Sequence, residues 1–212
     1  MCAKSLWTGE RVCLKIVASS LTDPHGQERD ILQYLNTEPH RSHPDNPCVP
    51  NPIYEFSSFL SLAEPGAFGD LIPCLSIAVM PALEQLYYQR LPTKALYLDV
   101  IEQSLRGLAY LHSLGIVHRD LCRQNFVLST RGPPFRLYFI DFGLVQRYPT
   151  ADKAPRTIWQ GGWVKVPEVR EYPSEPYDPF KADIYIPAHE FPEFLLCVVN
   201  ARLPVSVPQT RL

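Results

Sequence analysis

Hydrophobic positions in the first third of the chain follow the pattern of strands around one helix. Residues 11–17 form an apolar run that carries a single lysine, and further apolar runs occupy residues 53–56 and 71–80. The stretch between the last two contains Pro and Gly turn signals, which indicate a hairpin. Residues 27–36 instead place apolar side chains on one helical face. This part of the chain therefore predicts antiparallel strands with one helix.

The period changes to that of a helix over residues 93–114. Apolar side chains recur there every three or four positions and predict a core-facing stripe made of Leu98, Ile101, Leu105, Leu108 and Leu111. Gly115 is expected to end this helix. A second helical stretch covers residues 181–199, and Pro187 and Pro192 are expected to kink or divide it. This order of elements predicts a small sheet-rich lobe packed on a larger helical lobe.

The composition fits a chain with a substantial core and little net charge. The chain has 212 residues, 46% of them hydrophobic, and 20 basic against 22 acidic residues give a formal net charge of −2. That balance argues against a protein that binds nucleic acid by neutralising many phosphates. The six cysteines lack zinc-site spacing, no secretory signal is evident, and no apolar run is long enough to span a membrane. We therefore expect an intracellular protein, cytoplasmic or nuclear, with free thiols.

Residues 118–125 carry the most informative motif. They match H-R-D-L-x-x-x-N and lie between the helix that ends at Gly115 and a predicted strand at 126–128. On a rigid loop, Asp120 can accept the proton of an attacking hydroxyl group and orient that group. The Asn125 oxygen can bind a metal ion that neutralises phosphate charge. The alternative is a loop whose charges pair locally, with its histidine in the core.

A second acidic motif, Asp141-Phe142-Gly143, follows a predicted strand at 137–140. The Asp141 carboxylate is a candidate ligand for Mg²⁺ bound to nucleotide phosphates, and Gly143 would allow the backbone to turn. Taken alone, this tripeptide is most often a strand-ending turn. It gains weight from its position shortly beyond the 118–125 motif.

The lysine of the first apolar strand, Lys15, is the third candidate. A charge inside an apolar lobe is costly unless it is paired, so Lys15 needs an anionic partner. Phosphate oxygens, or Glu28 on the following helix, would supply one. The alternative for Lys15 alone is a strand lysine that points to solvent.

Together these motifs resemble the eukaryotic protein kinase family over roughly residues 3–200. Seven elements occur in the order of that family, which is far more specific than any one of them. They are the lysine strand 11–15, the helix residue Glu28, the strand end and hinge 78–83, the loop 118–125, the tripeptide 141–143, the Val-Pro-Glu tripeptide 166–168 and the helix start 181–185.

The resemblance implies an α+β, bilobal protein-kinase-like fold. A small antiparallel β lobe with one helix would pack on a mainly α-helical lobe. Residues 1–83 are expected to form a partial N-terminal lobe that ends in the hinge. Residues 84–212 are expected to form a partial C-terminal lobe with the catalytic loop and the activation segment. The fold is expected to be incomplete at both ends, because no G-x-G-x-x-G precedes Lys15 and little sequence follows for the later helices.

The resemblance also implies ATP and Mg²⁺ as ligands and a protein as the second substrate. Lys15, held by Glu28, would contact the α- and β-phosphates. Asn125 and Asp141 would hold Mg²⁺, and Asp120 would orient the substrate hydroxyl. Nucleic acid and membrane partners are not expected.

Further roles follow from the same resemblance. Met80 would stand at the gatekeeper position, and Ala82 would lie in the hinge that holds adenine through backbone hydrogen bonds. Structural or regulatory roles would fall to His118, Arg119, Phe142, Gly143, Glu168 and Asp183.

The sequence departs from the family at several positions. Cys122 stands where its Ser/Thr kinases usually have lysine, and the adjacent Arg123 is only a partial replacement, because guanidinium and ammonium differ in geometry. The segment before the Val-Pro-Glu tripeptide lacks the usual threonine of the substrate-docking loop. Thr150 and Thr157 are candidates for a phosphate that pairs with Arg119, although a solvated threonine is the more common outcome.

These observations predict an ATP-dependent protein kinase domain that transfers the γ-phosphate to a protein hydroxyl, Ser/Thr by default. A pseudokinase or scaffold that binds partners without turnover is the main alternative, favoured by Cys122 and the missing glycine loop. A small-molecule kinase of the aminoglycoside or choline type ranks third, because Arg119 and the Val-Pro-Glu tripeptide favour the protein-kinase branch.

Overall fold

A computed structural model describes residues 2–6, 8–19, 27–50, 53–56, 74–86, 91, 93–129, 134–148 and 156–200. In chain order the strands are β1 (Cys2–Lys4), β2 (Arg11–Ser19), β3 (Ile53–Phe56), β4 (Cys74–Pro81), β5 (Glu84–Gln85), β6 (Ile116–Val117), β7 (Phe126–Leu128), β8 (Leu137–Phe139) and β9 (Gln146–Arg147). The helices are α1 (Gln27–Leu35), α2 (Lys94–Ser113), α3 (Pro167–Glu171) and α4 (Pro179–Asn200).

The first four strands form one antiparallel sheet in the order β1-β2-β4-β3. Within it, Lys15 on β2 lies opposite Ala78 on β4. Strands β3 and β4 pair as the predicted hairpin requires, and their connection, residues 57–73, lies outside the described residues. Helix α1 packs beside β2 and buries the face that the sequence predicted, made of Ile31, Leu32 and Leu35.

The second lobe is built on α2 and α4, which contact each other. A three-stranded sheet in the order β5-β7-β8 and the pair β6-β9 hold the loops that carry the sequence motifs. Because each of these strands has only two or three residues, periodicity gives little sign of them, and β5, β6, β9 and the short α3 were not predicted. The bilobal α+β fold predicted from the sequence is confirmed.

One hydrophobic cluster joins the two lobes. It includes Leu32 and Leu35 of α1, Val100 and Leu111 of α2, and Phe142 beyond β8, each at most 4% exposed. A second cluster packs the 118–125 loop and the segment before α3 against α4, through Cys122, Val164, Val166, Val169, Tyr177, Ala182 and Ile186. Since α1 shares a core with the second lobe, its position relative to the 141–143 turn is set by packing.

The buried face of α2 differs from the predicted stripe. Leu98 and Leu105 are 63% and 54% exposed, so their assignment to the core was wrong. Ser104 and Gly107 are buried instead. A Cβ added at Gly107 would lie 2.9 Å from Pro47 Cβ, which shows how closely the neighbouring chain approaches. A helix face that needs close approach is filled by small residues, which a hydrophobicity pattern does not mark.

Helix α4 is continuous from Pro179 to Asn200 and contains both Pro187 and Pro192, so of the predicted kink or division, the division is excluded. Each proline removes one hydrogen bond from the helix. The burial of Ala182 and Ile186 on the second cluster, and of Phe191 on the first, stabilises the helical conformation around them. Among the described residues no helix, α4 included, is both long and apolar enough to cross a membrane.

The turn after α2 gives a direct test of this packing. Gly115 has φ 72°, and an added Cβ would lie 2.1 Å from the Tyr148 carbonyl oxygen. Gly9 has nearly the same φ, 68°, but its nearest neighbour would be Lys4 Cε at 3.8 Å. We expect Gly9→Ala to lower the free energy of unfolding by roughly 1–2 kcal/mol, the cost of a left-handed L-residue, and Gly115→Ala to cost at least twice as much. Urea unfolding would measure both, and equal losses would contradict the close approach of Tyr148.

Candidate functional site

Lys15 joins three elements of the fold. Its ammonium lies 2.5 Å from Glu28 Oε1 on α1 and 2.8 Å from Asp141 Oδ1 in the turn beyond β8. The contact with Asp141 shows that the Lys15 side chain points toward the second lobe. The alternative in which this lysine points away to solvent is therefore excluded, and its ammonium is shared by two carboxylates.

The charges of this group reinforce one another. Burial opposes the charged form of Lys15, but the Glu28 and Asp141 carboxylates outweigh that effect and raise its pKa above the usual value. Burial would likewise raise the pKa of Asp141, but its hydrogen bond and charge interaction with Lys15 lower the pKa overall. Near neutral pH, a fixed cation therefore lies beside a fixed carboxylate.

The turn at residues 141–143 is made by its aspartate. Asp141 has φ 63°, in the left-handed region, whereas Gly143 is not among the residues with positive φ. The expectation that Gly143 supplies the turn was therefore wrong, since the conformational cost falls on Asp141. Phe142 is 2% exposed, and its ring centroid lies 4.8 Å from that of His118. This burial holds the Asp141 carboxylate at the cleft.

In the 118–125 loop, Asn125 Nδ2 donates to the Asp120 carbonyl oxygen at 2.8 Å and to Asp120 Oδ2 at 3.1 Å. The other carboxylate oxygen, Asp120 Oδ1, accepts the Trp163 amide at 2.8 Å. Because Asn125 uses its amide nitrogen for these bonds, its amide oxygen is the atom that can face a cation. The loop and the segment before α3 thus hold the Asp120 carboxylate from two sides.

Asp183, near the start of α4, holds the backbone of the 118–125 loop through hydrogen bonds. Its side chain is fully buried, and its two oxygens accept the His118 and Arg119 amides, each at 2.6 Å. His112 Nε2 lies 3.3 Å from Oδ2. Charge-assisted bonds to two successive amides fix the backbone that leads into Asp120. They also offset the left-handed conformation of Arg119, whose φ is 70°.

Arg119 is 1% exposed, and its guanidinium donates to the Ile158 carbonyl and to the Gln160 side chain. The acceptors that the described residues offer it are neutral oxygens, among them Tyr177 Oη at 3.1 Å and Gln160 Oε1 at 3.1 Å. The backbone of Thr157 pairs with that of Tyr177, and Thr150 lies outside the described residues. The pairing of Arg119 with a phosphate on either threonine stays a prediction.

The loop positions after Leu121 carry a buried thiol, Cys122, and an arginine that contacts α4, Arg123. Cys122 is 2% exposed in the second cluster, and burial raises the pKa of its thiol to about 11, so it is uncharged near neutral pH. Arg123 Nε lies 3.4 Å from Glu190 Oε2 on α4. That Arg123 can replace the lysine only in part stays a prediction.

Lys15 and its two carboxylate partners border a cleft of about 550 Å³ between the lobes. The polar part of its lining is made by Lys15, Glu28, Asn125 and Asp141. The apolar part is made by Met80, Leu14, Leu32, Val49 and Phe139. Ala82 is not brought into this lining, since its amide donates to the Arg11 carbonyl at 3.1 Å. Glu168 is also remote, because it lies exposed on α3 and lines a separate cavity with Tyr177 and Lys181.

Cys13 and Gln85 are among the cleft residues that the sequence analysis did not assign. Cys13 lies two positions before Lys15 on β2, and strand alternation would have placed these two side chains on the same face. Gln85 on β5 also lines the cleft, and its Nε2 donates to the Gln124 carbonyl at 3.4 Å. The two-residue strand β5 leaves no pattern from which that position could be read.

Comparison with known proteins agrees with the family resemblance seen in the sequence motifs. A family model described as the protein kinase domain matches residues 70–185, which is more than half of the chain. One relative is the human dual specificity testis-specific protein kinase 1, 35% identical over 105 residues, or 48% of this chain and 16% of that protein.

Two further relatives come from other organisms. The Caenorhabditis elegans serine/threonine-protein kinase/endoribonuclease ire-1 is 31% identical over 176 residues, 78% of this chain and 16% of that protein. The Schizosaccharomyces pombe serine/threonine-protein kinase ppk8 is 35% identical over 115 residues, 51% of this chain and 20% of that protein. The chain therefore spans about a fifth or less of the length of these relatives.

The support that Asp183 gives the loop can be tested by a single-atom change. In Asp183→Asn, one oxygen becomes an NH₂ group that faces a backbone N–H, so a buried donor loses its acceptor. We expect a loss of about 2–4 kcal/mol in the free energy of unfolding. Asp178→Asn is the matched control, because Asp178 Oδ1 accepts the Phe180 and Lys181 amides at the exposed start of α4, where Asn serves almost equally well. Similar losses in the two variants would contradict the role assigned to Asp183.

His118 predicts a pH dependence of stability. It is fully buried, and its Nε2–H faces the Ile140 carbonyl at 3.2 Å. Burial lowers the pKa of His118 despite the nearby Asp183, Asp120 and Asp141 carboxylates. As pH falls below about 6.5, the unfolded chain binds a proton that the folded chain does not, so the free energy of unfolding decreases.

Urea unfolding between pH 7.5 and 5 would measure this slope in the parent and in His118→Phe, which fits among the surrounding rings. The parent should lose stability more steeply than the variant below pH ~6.5. Parallel curves would show that His118 does not remain neutral in the folded protein.

Proposed function

The chain belongs to the protein kinase family, and on that premise we propose that it transfers the γ-phosphate of ATP to a hydroxyl group of a protein. The proposal is carried by three residues that line one cleft, Lys15, Asn125 and Asp141, and by the hydrogen bond from Asn125 Nδ2 to the Asp120 carboxylate. These residues come from both lobes. Such a group supplies a phosphate-binding cation, two oxygen ligands for a metal ion and a carboxylate for the acceptor hydroxyl.

The residues fit Mg²⁺. This ion takes one or two protein oxygen ligands and completes its coordination with phosphate oxygens and water. The Asp141 carboxylate and the Asn125 amide oxygen would be those protein ligands. When bound, Mg²⁺ would neutralise charge on the phosphates.

Each side chain then has one role. Lys15, kept in place by Glu28, would bind the α- and β-phosphates, and Asp120 would accept a hydrogen bond from the acceptor hydroxyl and orient its oxygen toward the γ-phosphate. Met80 and the apolar lining would accommodate adenine. We place the hinge at the boundary between residues 1–83 and 84–212. Catalysis would come mainly from positioning and charge stabilisation.

A Ser/Thr acceptor is the proposed specificity. Two of the relatives named above are serine/threonine-protein kinases by name, and the third is a dual specificity kinase. The proposed acceptor class rests on that similarity.

A second candidate, a pseudokinase or scaffold, is favoured by one observation. The Cys122 thiol is buried and uncharged, and Arg123 lies beside Glu190, so no lysine ammonium stands at this position of the loop. Among the described residues that line the cleft, Lys15 is the cation, and it is already paired. Nucleotide could therefore bind without efficient transfer.

The test measures transfer of radiolabelled γ-phosphate to a mixed Ser/Thr peptide library and to the chain itself, with and without Mg²⁺. We expect Mg²⁺-dependent incorporation that falls at least ~100-fold in Asp120→Ala and in Asp141→Asn. Asp178→Asn, which changes an exposed carboxylate outside the cleft, is the control. Activity in Asp141→Asn equal to the parent's would exclude the metal role, and clean labelling of a small alcohol instead of peptide would favour a small-molecule kinase.

A binding readout separates the two candidates. Cys13 lines the cleft as a free thiol, so bound nucleotide should slow its alkylation, followed peptide by peptide by mass spectrometry. Protection by Mg²⁺–ATP together with transfer supports the kinase. Protection without transfer supports a pseudokinase that binds nucleotide, and no protection contradicts the kinase and favours a scaffold.

A further inference from the structure

The Asp120 carboxylate has one donor on each oxygen. Asn125 Nδ2 lies 3.1 Å from Oδ2, and the Trp163 backbone nitrogen lies 2.8 Å from Oδ1. Two donors on opposite oxygens fix the plane of a carboxylate, whereas one donor would leave it free to rotate. The Trp163 bond joins residues 43 positions apart in sequence and reaches the loop from outside it.

The backbone before Trp163 is built for this approach. Gly161 and Gly162 have φ values of 142° and 111°, a region that L-residues rarely adopt. A Cβ on Gly162 would lie 3.2 Å from the Arg119 carbonyl oxygen and 3.0 Å from the Trp159 ring. Gly162 therefore lies directly on the backbone that precedes Asp120, and the next amide, that of Trp163, reaches the Asp120 carboxylate.

The residue types around Asp120 explain why a backbone donor is needed. The sequence has neither the threonine expected in this segment nor the lysine expected at Cys122, and the Cys122 side chain is buried. The Trp163 indole is 76% exposed, and the contact with Asp120 is made by the backbone amide. An N–H bond to an ionised carboxylate is about twice as strong as one between neutral groups.

We propose that the backbone amide of Trp163, presented by Gly161 and Gly162, is a positioning group that holds the Asp120 carboxylate in the orientation needed to align an acceptor hydroxyl. The kinetic part of this inference rests on the proposed function. The contact itself is independent of turnover and can be measured without nucleotide.

The first experiment observes the contact in the full chain by ¹H–¹⁵N NMR. The Trp163 amide proton should resonate downfield and exchange slowly with solvent, and Asp120→Ala should move it upfield and speed its exchange. The Thr157 amide, which donates to the Tyr177 carbonyl at 3.0 Å, is the internal reference. A Trp163 amide that does not respond to Asp120→Ala would overturn the proposal.

The second experiment compares two variants that both lack the indole. Trp163→Pro also lacks the N–H, whereas Trp163→Ala keeps it, and the preceding glycine tolerates a following proline. We expect kcat of Trp163→Pro to be about 10- to 100-fold below that of Trp163→Ala, with KM for ATP changed less than about threefold, because misplaced catalytic groups cost rate rather than binding. Equal kcat values, or a loss confined to KM, would overturn the proposal.

Two outcomes keep the inference separate from the proposed function. If the Trp163 amide responds to Asp120→Ala but the parent transfers no phosphate, the contact stands and the proposed kinase activity fails. If the parent is active and the Pro and Ala variants are equal, the proposed function stands and the positioning role fails. Thermal unfolding of both variants identifies any loss that reflects unfolding alone.

Discussion

The site depends on one shared cation. The Lys15 ammonium lies between the Glu28 and Asp141 carboxylates, which belong to α1 and to the turn beyond β8. Each element is also held by other contacts: β2 by its register with β4, and α1 and the turn by burial of Leu32, Leu35 and Phe142 in one cluster. The ion pairs are partly exposed and contribute modestly to stability. Their importance is geometric, because they bring a cation and a carboxylate together at the cleft.

A second layer of contacts holds the acceptor side of the site. Asp183 fixes the backbone of residues 118 and 119 from α4, Asn125 and Trp163 hold the Asp120 carboxylate, and His118 packs on Phe142. Few side-chain torsions in this layer can rotate freely, since most of its hydrogen bonds involve backbone groups. Phosphoryl transfer relies mainly on positioning, so the rigidity of this layer suits the proposed reaction. The buried Cys122, in place of a lysine, is the feature that suits the proposed reaction least.

Much of the fold could be read from the sequence, because β2, α1, β4 and α2 have clear apolar periods and the Lys15, Asp120, Asn125 and Asp141 motifs occur in a recognisable order. Other features could not. The buried face of α2 is set by close approach at Ser104 and Gly107, where hydrophobicity is low. The left-handed turn falls on Asp141 although a glycine follows two positions later. The Trp163 contact uses a backbone amide, which every residue except proline possesses, so residue type gives no sign of it.

The central claim is that the cleft binds a metal–nucleotide complex through Asn125 and Asp141. The most direct measurement replaces Mg²⁺ with paramagnetic Mn²⁺ and adds a non-hydrolysable ATP analogue, while NMR follows the backbone amides and the Asn125 side-chain NH₂. We expect nucleotide-dependent broadening of the Asn125 and Asp141 resonances, with the resonance of exposed Glu168 on α3 unaffected. Broadening that is independent of nucleotide, or centred away from these two residues, would contradict it.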